Sequence, residues 1–452
     1  MAEDAMSGPR VVIIGGGLAG LATALELSER WADIIVLESG SECGGLARSF
    51  QRDGRFYPLA YHHILSRDHT LLQCLKRLGI LPRVRWRRIR MLYEAQSGLY
   101  NLARPWDLLR FPLPFGSKVR FAKMMLRSFA KTDWSDWRDR SGAAFIDEWA
   151  DPLVRTALFD PLVRLKFNLE CSDVSAAWLG TRLHFREGSA ALGYIPDSNW
   201  TKLLCDGVER LATDRGVQTR VNAAVRSLKT SGNRAIGVEL NNGERIDADF
   251  IVSAVPAAEY VRLAPDDGTP HLGTIKYTAL LSLVCGTAQR MPYEFYWLNL
   301  ATGRHSAGGL FNLSALNPTL GCSGEVCLDF VTHLPGVEDE RFRRPASEIV
   351  SDYLDDFRRI FGVALTPLWT HLSRVPVYSP VFLKDYRPCP VRSTSLCNVY
   401  FAGSHCASES IASTGTALAC GITTAAALVH DADRGGWVTV RERPHSEPTS
   451  LE

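Results

Sequence analysis

The sequence predicts an α/β fold: a discontinuous Rossmann-like domain built around a parallel sheet, with an inserted α+β domain. Three observations predict it. A glycine-rich turn joins two apolar runs near the start of the chain, a strand-rich segment lies in the middle, and a small-residue helix lies near the end. The length of 452 residues exceeds what one compact core supports, so more than one domain is expected.

The first predicted element is a strand–helix–strand unit. The run Val11–Ile14 is apolar and β-branched, as in a parallel strand buried on both faces. Helical periodicity follows over Leu18–Leu27, and Ile34–Leu37 is a second apolar run that ends in Glu38. In open α/β sheets a ligand binds at the carboxyl ends of such strands, so the residues that follow each strand are the first candidates for a site.

The turn after the first strand carries Gly15, Gly17 and Gly20 with the spacing G-x-G-x-x-G. Between a strand and a helix, with a second strand and an acid beyond, this spacing indicates a dinucleotide site. The first glycine permits the turn, the second lets the backbone approach a pyrophosphate, and the third lets the helix pack on the strand. Glu38 can accept hydrogen bonds from a ribose and disfavours a 2′-phosphate. The predicted contacts in this unit also include Leu18, Ala19 and Ser39.

A second glycine cluster, Gly44-Gly45-Leu46-Ala47-Arg48, follows the acid. A site for a nicotinamide nucleotide does not require this cluster. A site for a nucleotide with a large flavin at its far end does, because two glycines let the chain pass close to the pyrophosphate and ribityl groups. Arg48 can neutralise phosphate charge as a fork-shaped donor, although a surface salt bridge is the alternative.

With these motifs, "GGGLAGL…LES…GGLAR", the chain resembles the flavin amine oxidase superfamily, which includes monoamine oxidases, protoporphyrinogen oxidases and phytoene-type desaturases. The resemblance implies FAD as the cofactor, with Glu38 on the adenosine ribose and Gly15 to Gly20 on the pyrophosphate. Residues 216–256 agree with it, since they alternate as strands with turns at 231–233 and 241–243. In this segment the superfamily places a backbone contact to adenine near Val225.

The end of the chain also resembles the superfamily. Val399–Ala402 is an apolar run followed by Gly403 and Ser404, although the superfamily usually has an acidic residue where Ser404 stands. A small-residue helix then opens, and its N-terminus can stabilise negative charge on a flavin as reduction proceeds. The resemblance implies that these segments make the last FAD contacts, through Gly403, Ser404, Gly415, Thr416 and Ala417.

The matching pieces divide the chain. The FAD-binding domain is predicted to comprise 9–80, 187–260 and 395–432. The substrate domain is predicted to comprise 81–186, which is helical, basic and aromatic, and 261–394, which is sheet-rich. The polar stretch 433–452 is predicted to be a flexible tail.

The candidates for catalysis are His62, His63 and Lys276. In the superfamily the loop after the second glycine cluster passes beside the flavin, so Tyr61, His62 and His63 are expected at the wall of the site, and histidine can act as an acid or base near neutral pH. Adjacent residues of a strand point to opposite faces, so at most one of the two histidines is expected to face the substrate. Lys276 precedes an apolar run and resembles the lysine that many flavin amine oxidases place at flavin N5. A structural histidine and an ordinary surface lysine are the alternatives, and no spacing indicates a metal site.

Charge is unevenly distributed. The net charge of +2 gives no indication of a nucleic-acid partner, yet 82–131 carries 12 Lys/Arg against two acids and is rich in aromatic residues. Three interpretations stay open: peripheral contact with a membrane surface, a cleft for an anionic substrate, and an amphipathic helical layer with solvated arginines. The 11 scattered cysteines, the polar start of the chain and the lack of a long apolar run lead us to expect a cytoplasmic protein, with peripheral contact at the inner membrane surface as the open alternative.

The predicted function is that of an FAD-dependent oxidoreductase: an oxidase, dehydrogenase or desaturase that takes a hydride from a C–N or C–C bond of a small organic substrate onto flavin N5. The sequence does not identify the electron acceptor, for which dioxygen is one candidate. Two alternatives stay open. One is a non-redox flavoenzyme resembling UDP-galactopyranose mutase, and the other is a flavin-free binding protein resembling Rab GDP-dissociation inhibitor.

Overall fold

The structure, a computed structural model, describes residues 8–95, 98–187, 191–300, 303–407 and 411–435. Its strands are β1 (Val11–Ile14), β2 (Ile34–Leu37), β3 (Ser49–Arg52), β4 (Arg55–Pro58), β5 (Ile64–Leu65), β6 (Arg85–Arg87), β7 (Met91–Ala95), β8 (Gly98–Tyr100), β9 (Leu192–Tyr194), β10 (Gln218–Arg220), β11 (Val225–Ser231), β12 (Arg234–Leu240), β13 (Arg245–Asp247), β14 (Phe250–Ser253), β15 (Tyr277–Thr287), β16 (Trp297–Asn299), β17 (Gly309–Asn312), β18 (Val326–Leu334), β19 (Trp369–Pro380) and β20 (Val399–Phe401).

Its α-helices are α1 (Leu18–Leu27), α2 (His69–Arg77), α3 (Pro105–Arg110), α4 (Phe115–Ala130), α5 (Gly142–Trp149), α6 (Pro152–Val154), α7 (Asp160–Phe167), α8 (Ala176–Arg182), α9 (Trp200–Thr213), α10 (Ala257–Leu263), α11 (Leu313–Leu316), α12 (Glu340–Arg343), α13 (Ala346–Phe361) and α14 (Thr414–Gly435). Among the described residues, no helix combines the length and the apolar character that crossing a membrane requires.

A five-stranded sheet in the order β10-β2-β1-β14-β20 forms the first part of the molecule. All its neighbouring strands are parallel, and its three central strands are fully buried because α1, α9 and α14 cover one face and the small antiparallel sheet β11-β12-β13 covers the other. The strands come from three distant stretches of sequence, so the predicted α/β class with a discontinuous parallel-sheet domain is confirmed.

α1 and α14 pack closely in this first part. A Cβ atom on Gly421 would stand 2.4 Å from the carbonyl oxygen of Ala19, so the two helix backbones meet without a side chain between them. The Thr23 hydroxyl also donates hydrogen bonds to the carbonyls of Ala19, at 2.9 Å, and of Gly421, at 3.2 Å. The last segment of the chain is thereby held against the first.

The second part of the molecule is built around a seven-stranded sheet in the order β19-β15-β18-β17-β16-β7-β8. Most of its pairs are antiparallel, but β16 pairs with β7 in parallel and so joins the stretch near residue 91 to the stretch near residue 297. Helices α4 to α8 share a separate apolar cluster with the loop after β19. This second part is therefore built from residues that lie before and after the strand-rich segment 216–256.

The predicted tail begins later than expected. α14 continues to Gly435, so the first three residues of the predicted flexible segment 433–452 are helical, and the rest of that segment lies outside the described residues. Ion pairs of Asp431 with Arg392 and of Asp433 with Arg30 connect this end of the helix to the body of the protein.

Candidate active site

The site begins at the edge of the parallel sheet where its strands end. The turn after β1 crosses this edge, and Gly15 adopts a φ of +105° there. A Cβ on Gly15 would stand 3.1 Å from the carbonyl of Ala254, so both its conformation and its surroundings require glycine. Its N–H donates to the carbonyl of Leu37 at 2.8 Å, which ties the turn to the end of β2.

The second glycine cluster packs directly on the first. Gly44 and Gly45 have φ values of +116° and +56°, which favour glycine. The Gly44 N–H donates to the carbonyl of Gly16 at 2.8 Å, and Gly44 also pairs with Gly17 as an isolated parallel bridge. The two clusters therefore form one continuous backbone surface.

The glycines of the first turn differ in what surrounds them. A Cβ on Gly17 would meet only the Cα of Gly45, at 3.9 Å, so Gly17 faces open space next to the N-terminus of α1. A Cβ on Gly20 would stand 2.0 Å from the carbonyl oxygen of Gly15. Gly20 thus serves the packing of α1 on β1, while the N–H groups that begin α1 provide an anion-binding end.

Two charged side chains stand at this turn. The Glu38 carboxylate accepts hydrogen bonds from the N–H groups of Gly16, at 2.9 Å, and Gly40, at 2.7 Å. The Arg48 Nε–H donates to the carbonyl of Gly45 at 3.1 Å. Backbone contacts therefore orient a carboxylate and a guanidinium beside the same cavity.

That cavity, which we call the dinucleotide cleft, has a volume of about 570 Å³. Most residues predicted to bind the cofactor line it: Gly15, Gly17, Leu18, Ala19, Glu38, Ser39, Gly44, Gly45, Leu46, Ala47, Arg48, Tyr61, His62, Val225, Gly403, Ser404 and Ala417.

Three predicted contacts are not part of this lining. Gly20 is occupied in packing, as described above. A Cβ on Gly415 would stand 1.9 Å from Oδ1 of Asp68, so this glycine faces a neighbouring side chain. The Thr416 hydroxyl donates to the carbonyl of Ile411 at 2.7 Å. The α14 N-terminus instead lines the cleft through Ser413, Thr414 and Ala417.

A second cavity of about 400 Å³, the apolar cavity, adjoins the dinucleotide cleft, and the two share Tyr61 and Lys166 in their linings. Its wall combines helices of the second part with strands of the seven-stranded sheet. Apolar and aromatic side chains predominate: Ile89, Met91, Phe121, Met125, Phe129, Leu158, Phe159, Leu162, Val163, Leu165, Trp178, Leu179, Leu183, Trp297, Phe311 and Val331.

The wall between the cavities holds a polar pair within an aromatic cluster. The Tyr61 hydroxyl lies 3.2 Å from Nε2 of His333, and the Tyr61 ring stacks on Phe311 with centroids 4.4 Å apart. His63 stacks on Trp297 at 6.0 Å. Sequence reasoning missed His333 because it is a single histidine in an apolar strand, 272 positions from its partner. Only the fold brings the two together.

The three catalytic candidates occupy different places. His62 and His63 both line the dinucleotide cleft, and residues 61–63 form no strand, so the alternation of side chains along a strand does not apply to them. Neither histidine lines the apolar cavity. The expectation that at most one of them faces the substrate stays a prediction. The His62 Nδ1 lies 2.8 Å from the carbonyl of Ala60, so this nitrogen carries the proton and donates it. Lys276 is exposed and lines neither cavity.

The turn after β20 closes another side of the cleft. Gly403 has a φ of +150°, and a Cβ there would stand 2.8 Å from Nδ1 of His405. Burial lowers the pKa of His405 to about 4, so its imidazole is neutral at physiological pH. Ser404 lines the cleft beside it.

Known proteins share both the sequence pattern and this architecture. The chain matches the family of flavin-containing amine oxidoreductases over residues 18–429. It is 23% identical to a 15-cis-phytoene desaturase from an Oncidium hybrid cultivar over 94% of this chain and 78% of that protein. It is 21% identical to a 4,4'-diaponeurosporene oxygenase from Staphylococcus haemolyticus, over 83% of this chain and 84% of that protein.

Solved structures share the fold at lower identity. A candidate protoporphyrinogen oxidase from Exiguobacterium sp. 255-15 superposes with a TM-score of 0.75 at 17% identity, covering 94% of this chain and 99% of its own. A reduced UDP-galactopyranose mutase superposes with a TM-score of 0.71 at 14% identity, covering 95% of this chain and 96% of its own.

The class of protein follows from the family match over nearly the whole chain. The two glycine clusters and the hydrogen-bonded carboxylate of Glu38 agree with it. The protein belongs to the flavin-containing amine oxidoreductase family. It is an FAD-dependent oxidoreductase that acts on a small molecule.

Proposed function

We propose that the protein takes a hydride from a C–C or C–N bond of a small, predominantly apolar molecule. The observation that carries this proposal is the apolar cavity, which meets the dinucleotide cleft at Tyr61 and Lys166. A substrate held there lies beside the end of the cleft and away from bulk water. Aromatic and aliphatic walls hold such a molecule through buried area rather than through a charge pair.

The cleft fits FAD because its donors and acceptors match the groups of a dinucleotide. The first N–H groups of α1 would hold the pyrophosphate, with Gly17 leaving room for it and Arg48 offsetting its charge. Glu38, held by two backbone N–H groups, would accept from the adenosine ribose. When bound, the flavin supplies the hydride acceptor. The α14 N-terminus would stabilise negative charge at that end of the cleft.

The protein's own residues would position the substrate and exclude water. Tyr61, fixed by its contact with His333 and by stacking on Phe311, forms the partition at which a reacting carbon would stand. Because the Nδ1–H of His62 is directed to the Ala60 carbonyl, any proton that His62 exchanges with a ligand passes through Nε2.

The test is anaerobic bleaching of the flavin by candidate substrates. The purified protein is expected to release about one FAD per chain on denaturation, and an isoprenoid, tetrapyrrole precursor or amine is expected to bleach it without external reductant. Met125→Trp, which fills the apolar cavity, is expected to abolish bleaching while FAD content is unchanged; Ala130→Trp, at the exposed end of the same helix, is the control.

A flavin that no substrate bleaches, in a protein that converts a nucleotide sugar only after chemical reduction, would replace this proposal with a mutase-type reaction. Bleaching that persists in Met125→Trp would show that substrate binds elsewhere.

We further propose that α3 and α4 dock on an anionic membrane surface. Trp106, Phe115 and Leu126 are each 69% exposed, which is unusual for such large apolar side chains. The same two helices also carry exposed basic residues, including Arg110 and Lys123. Apolar side chains at the headgroup boundary and cations at the phosphates are the two components of peripheral binding.

The face of α4 beside these exposed side chains belongs to the apolar cavity. Phe121, Met125 and Phe129 line that cavity, and with about 100° between successive residues they lie on the flank of the helix next to Phe115 and Leu126. A docked α4 would therefore place the cavity wall next to the lipid, which suits delivery of an apolar substrate.

Vesicle sedimentation tests the docking surface. Binding is expected to vesicles that contain phosphatidylglycerol, to weaken with salt, and to be much weaker with phosphatidylcholine alone. Phe115→Ser with Leu126→Ser is expected to weaken binding about tenfold or more, since burying each side chain is worth on the order of 1–2 kcal/mol. Leu368→Ser, at a residue 65% exposed elsewhere, is the control. Equal weakening by both variants would contradict a specific surface.

A further inference from the structure

A cluster of sulfur and nitrogen donors lies behind the turn that follows β20. Cys389 comes from the loop before this strand, whereas His405 and Cys406 follow the strand directly. Their ligand atoms all lie within 4.8 Å of one another, and the three residues form the only group of this kind within the part of the chain that the structure describes. The cysteines are free thiols.

The backbone around the cluster is well fixed. The Cys389 N–H donates to the carbonyl of His405 at 3.0 Å, and the Tyr386 hydroxyl donates to the same carbonyl at 2.7 Å. The Cys406 N–H donates to the carbonyl of Gly403 at 2.9 Å. The donors are thus brought together by two segments that are hydrogen-bonded to each other.

His405 also carries an unexplained polar atom. Its side chain is 3% exposed, and Nε2 has no hydrogen-bond partner among the described residues. A buried polar nitrogen without a partner costs free energy comparable to a lost hydrogen bond. A bound ion at this position would remove that cost.

We propose that Cys389, His405 and Cys406 bind a zinc ion. Zinc takes cysteine sulfur at about 2.3 Å and histidine nitrogen at about 2.0–2.1 Å in tetrahedral geometry, which puts ligand atoms about 3.5–4 Å apart. The ligand atoms of the three residues lie up to 4.8 Å apart, so they would need to approach one another by only about 1 Å to take up this geometry. A fourth position remains for a water molecule, which leaves the charge of the centre unchanged.

The charges of such a site balance. Zn²⁺ carries two positive charges, the two thiols lose their protons on binding to give two thiolates, and the imidazole binds as a neutral ligand. The resulting centre has no net charge, which suits a buried location better than an isolated ion of either sign. The two released protons pass to solvent, and no oxidant or reductant takes part.

The site would act on the cleft by fixing its wall. Gly403, Ser404 and His405 all line the dinucleotide cleft, and zinc would tie this turn to the loop at Cys389. Its role is therefore structural, separate from the transfer of a hydride, and it does not depend on the function proposed above.

Metal analysis of the intact flavoprotein, purified without a chelator or a histidine tag, tests the site. About one zinc per chain is expected in the wild type after equilibration with zinc and dialysis. Cys389→Ser and Cys406→Ser are expected to retain at least about tenfold less, since even groups that only orient metal ligands are worth about 10–100-fold in affinity. Cys285→Ser, at a fully buried thiol in β15, is expected to retain the wild-type amount.

Cobalt substitution of the wild type tests the ligands without any mutation. Thiolate-to-cobalt charge-transfer absorption with the visible bands of tetrahedral cobalt is expected, read as a difference from the flavin spectrum. Absence of both zinc and cobalt binding would overturn the proposal. Equal zinc in the Cys406→Ser variant would overturn it too, and so would an intact mass two hydrogens lower that maps to a Cys389–Cys406 disulfide.

Discussion

At the scale of single residues, Gly17 separates cofactor binding from folding. The space beside it is open, and its φ of −70° suits any L-residue, so valine fits the fold there but projects into the cleft. We expect Gly17→Val to fold normally and to purify with little or no FAD. Absorbance of released flavin and circular dichroism measure the two properties.

Two further variants serve as controls for this prediction. Gly20→Val forces a side chain against the Gly15 carbonyl at 2.0 Å and is expected to lose the fold as well as the cofactor. His63→Ala removes a ring that stacks on Trp297 and is expected to retain FAD. A Gly17→Val protein with a full complement of flavin would show that the cofactor does not lie against this turn.

Asp329 is a buried carboxyl in the seven-stranded sheet. Burial raises its pKa to about 7, against the smaller opposing effect of the hydrogen bond from Ser282, and Oδ2 has no hydrogen-bond partner among the described residues. The folded state therefore keeps a proton that the unfolded chain releases above its ordinary pKa of 3.8. This group accordingly lowers stability as the pH rises from about 4 to about 7.

Asp329→Asn is expected to raise the free energy of unfolding at pH 8 by about 1–3 kcal/mol, because the neutral amide keeps an acceptor for Ser282 without a buried charge. At pH 4 the gain is expected to disappear. Urea unfolding at both pH values measures it. Equal effects at the two values would mean that the carboxyl is not the titrating group.

At the scale of elements, α1 and α14 depend on a glycine contact. Gly421→Val would place a side chain against the Ala19 carbonyl, and we expect it to lower the free energy of unfolding by about 1–3 kcal/mol or more. Thr423→Val, on the exposed face of α14, is the control and is expected to change it little. Thermal unfolding compares the two. A Gly421→Val protein as stable as the control would show that the helices separate without cost.

Elements with strong local patterns could be predicted from the sequence. β1, α1 and β2 have the predicted bounds, because an apolar strand, a glycine turn and an amphipathic period are all local signals. The parallel pairing of β16 with β7 could not be predicted, because no local signal selects a partner about 200 positions away.

The same distinction applies to the site. The spacing of Gly15, Gly17, Gly44 and Gly45 was enough to predict that they line the cleft. Gly415 was predicted to contact the cofactor too, but it faces Asp68. The Tyr61–His333 contact and the Cys389, His405 and Cys406 cluster join residues whose spacing matches no motif. Side-chain direction and long-range contact depend on packing, which one sequence does not reveal.

At the scale of the whole molecule, His305 links three distant stretches of chain. Its Nε2 lies 2.8 Å from Oε2 of Glu94 in β7, and its Nδ1 lies 3.5 Å from Oδ1 of Asp356 in α13. Asp356 also accepts from the N–H groups of Ser306 and Ala307, each at 2.8 Å. Protonated His305 thus holds the edge of the seven-stranded sheet to the helix that covers it.

This contact predicts a loss of stability in alkali. Burial lowers the pKa of His305, but the nearby carboxylates of Asp356 and Glu94 outweigh it and raise the pKa to about 9 from an ordinary value of 6.5. A raised pKa stabilises the folded state fully below about 6.5, and this contribution disappears as the pH rises through about 9.

We expect His305→Gln to lower the free energy of unfolding by about 1–3 kcal/mol at pH 6 and much less at pH 9.5. Chemical unfolding at the two pH values measures the difference, with His371→Gln as the control, because burial alone shifts the pKa of that histidine. A His305→Gln effect that is equally large at pH 9.5 would show that packing of the ring, rather than its charge, holds these stretches together.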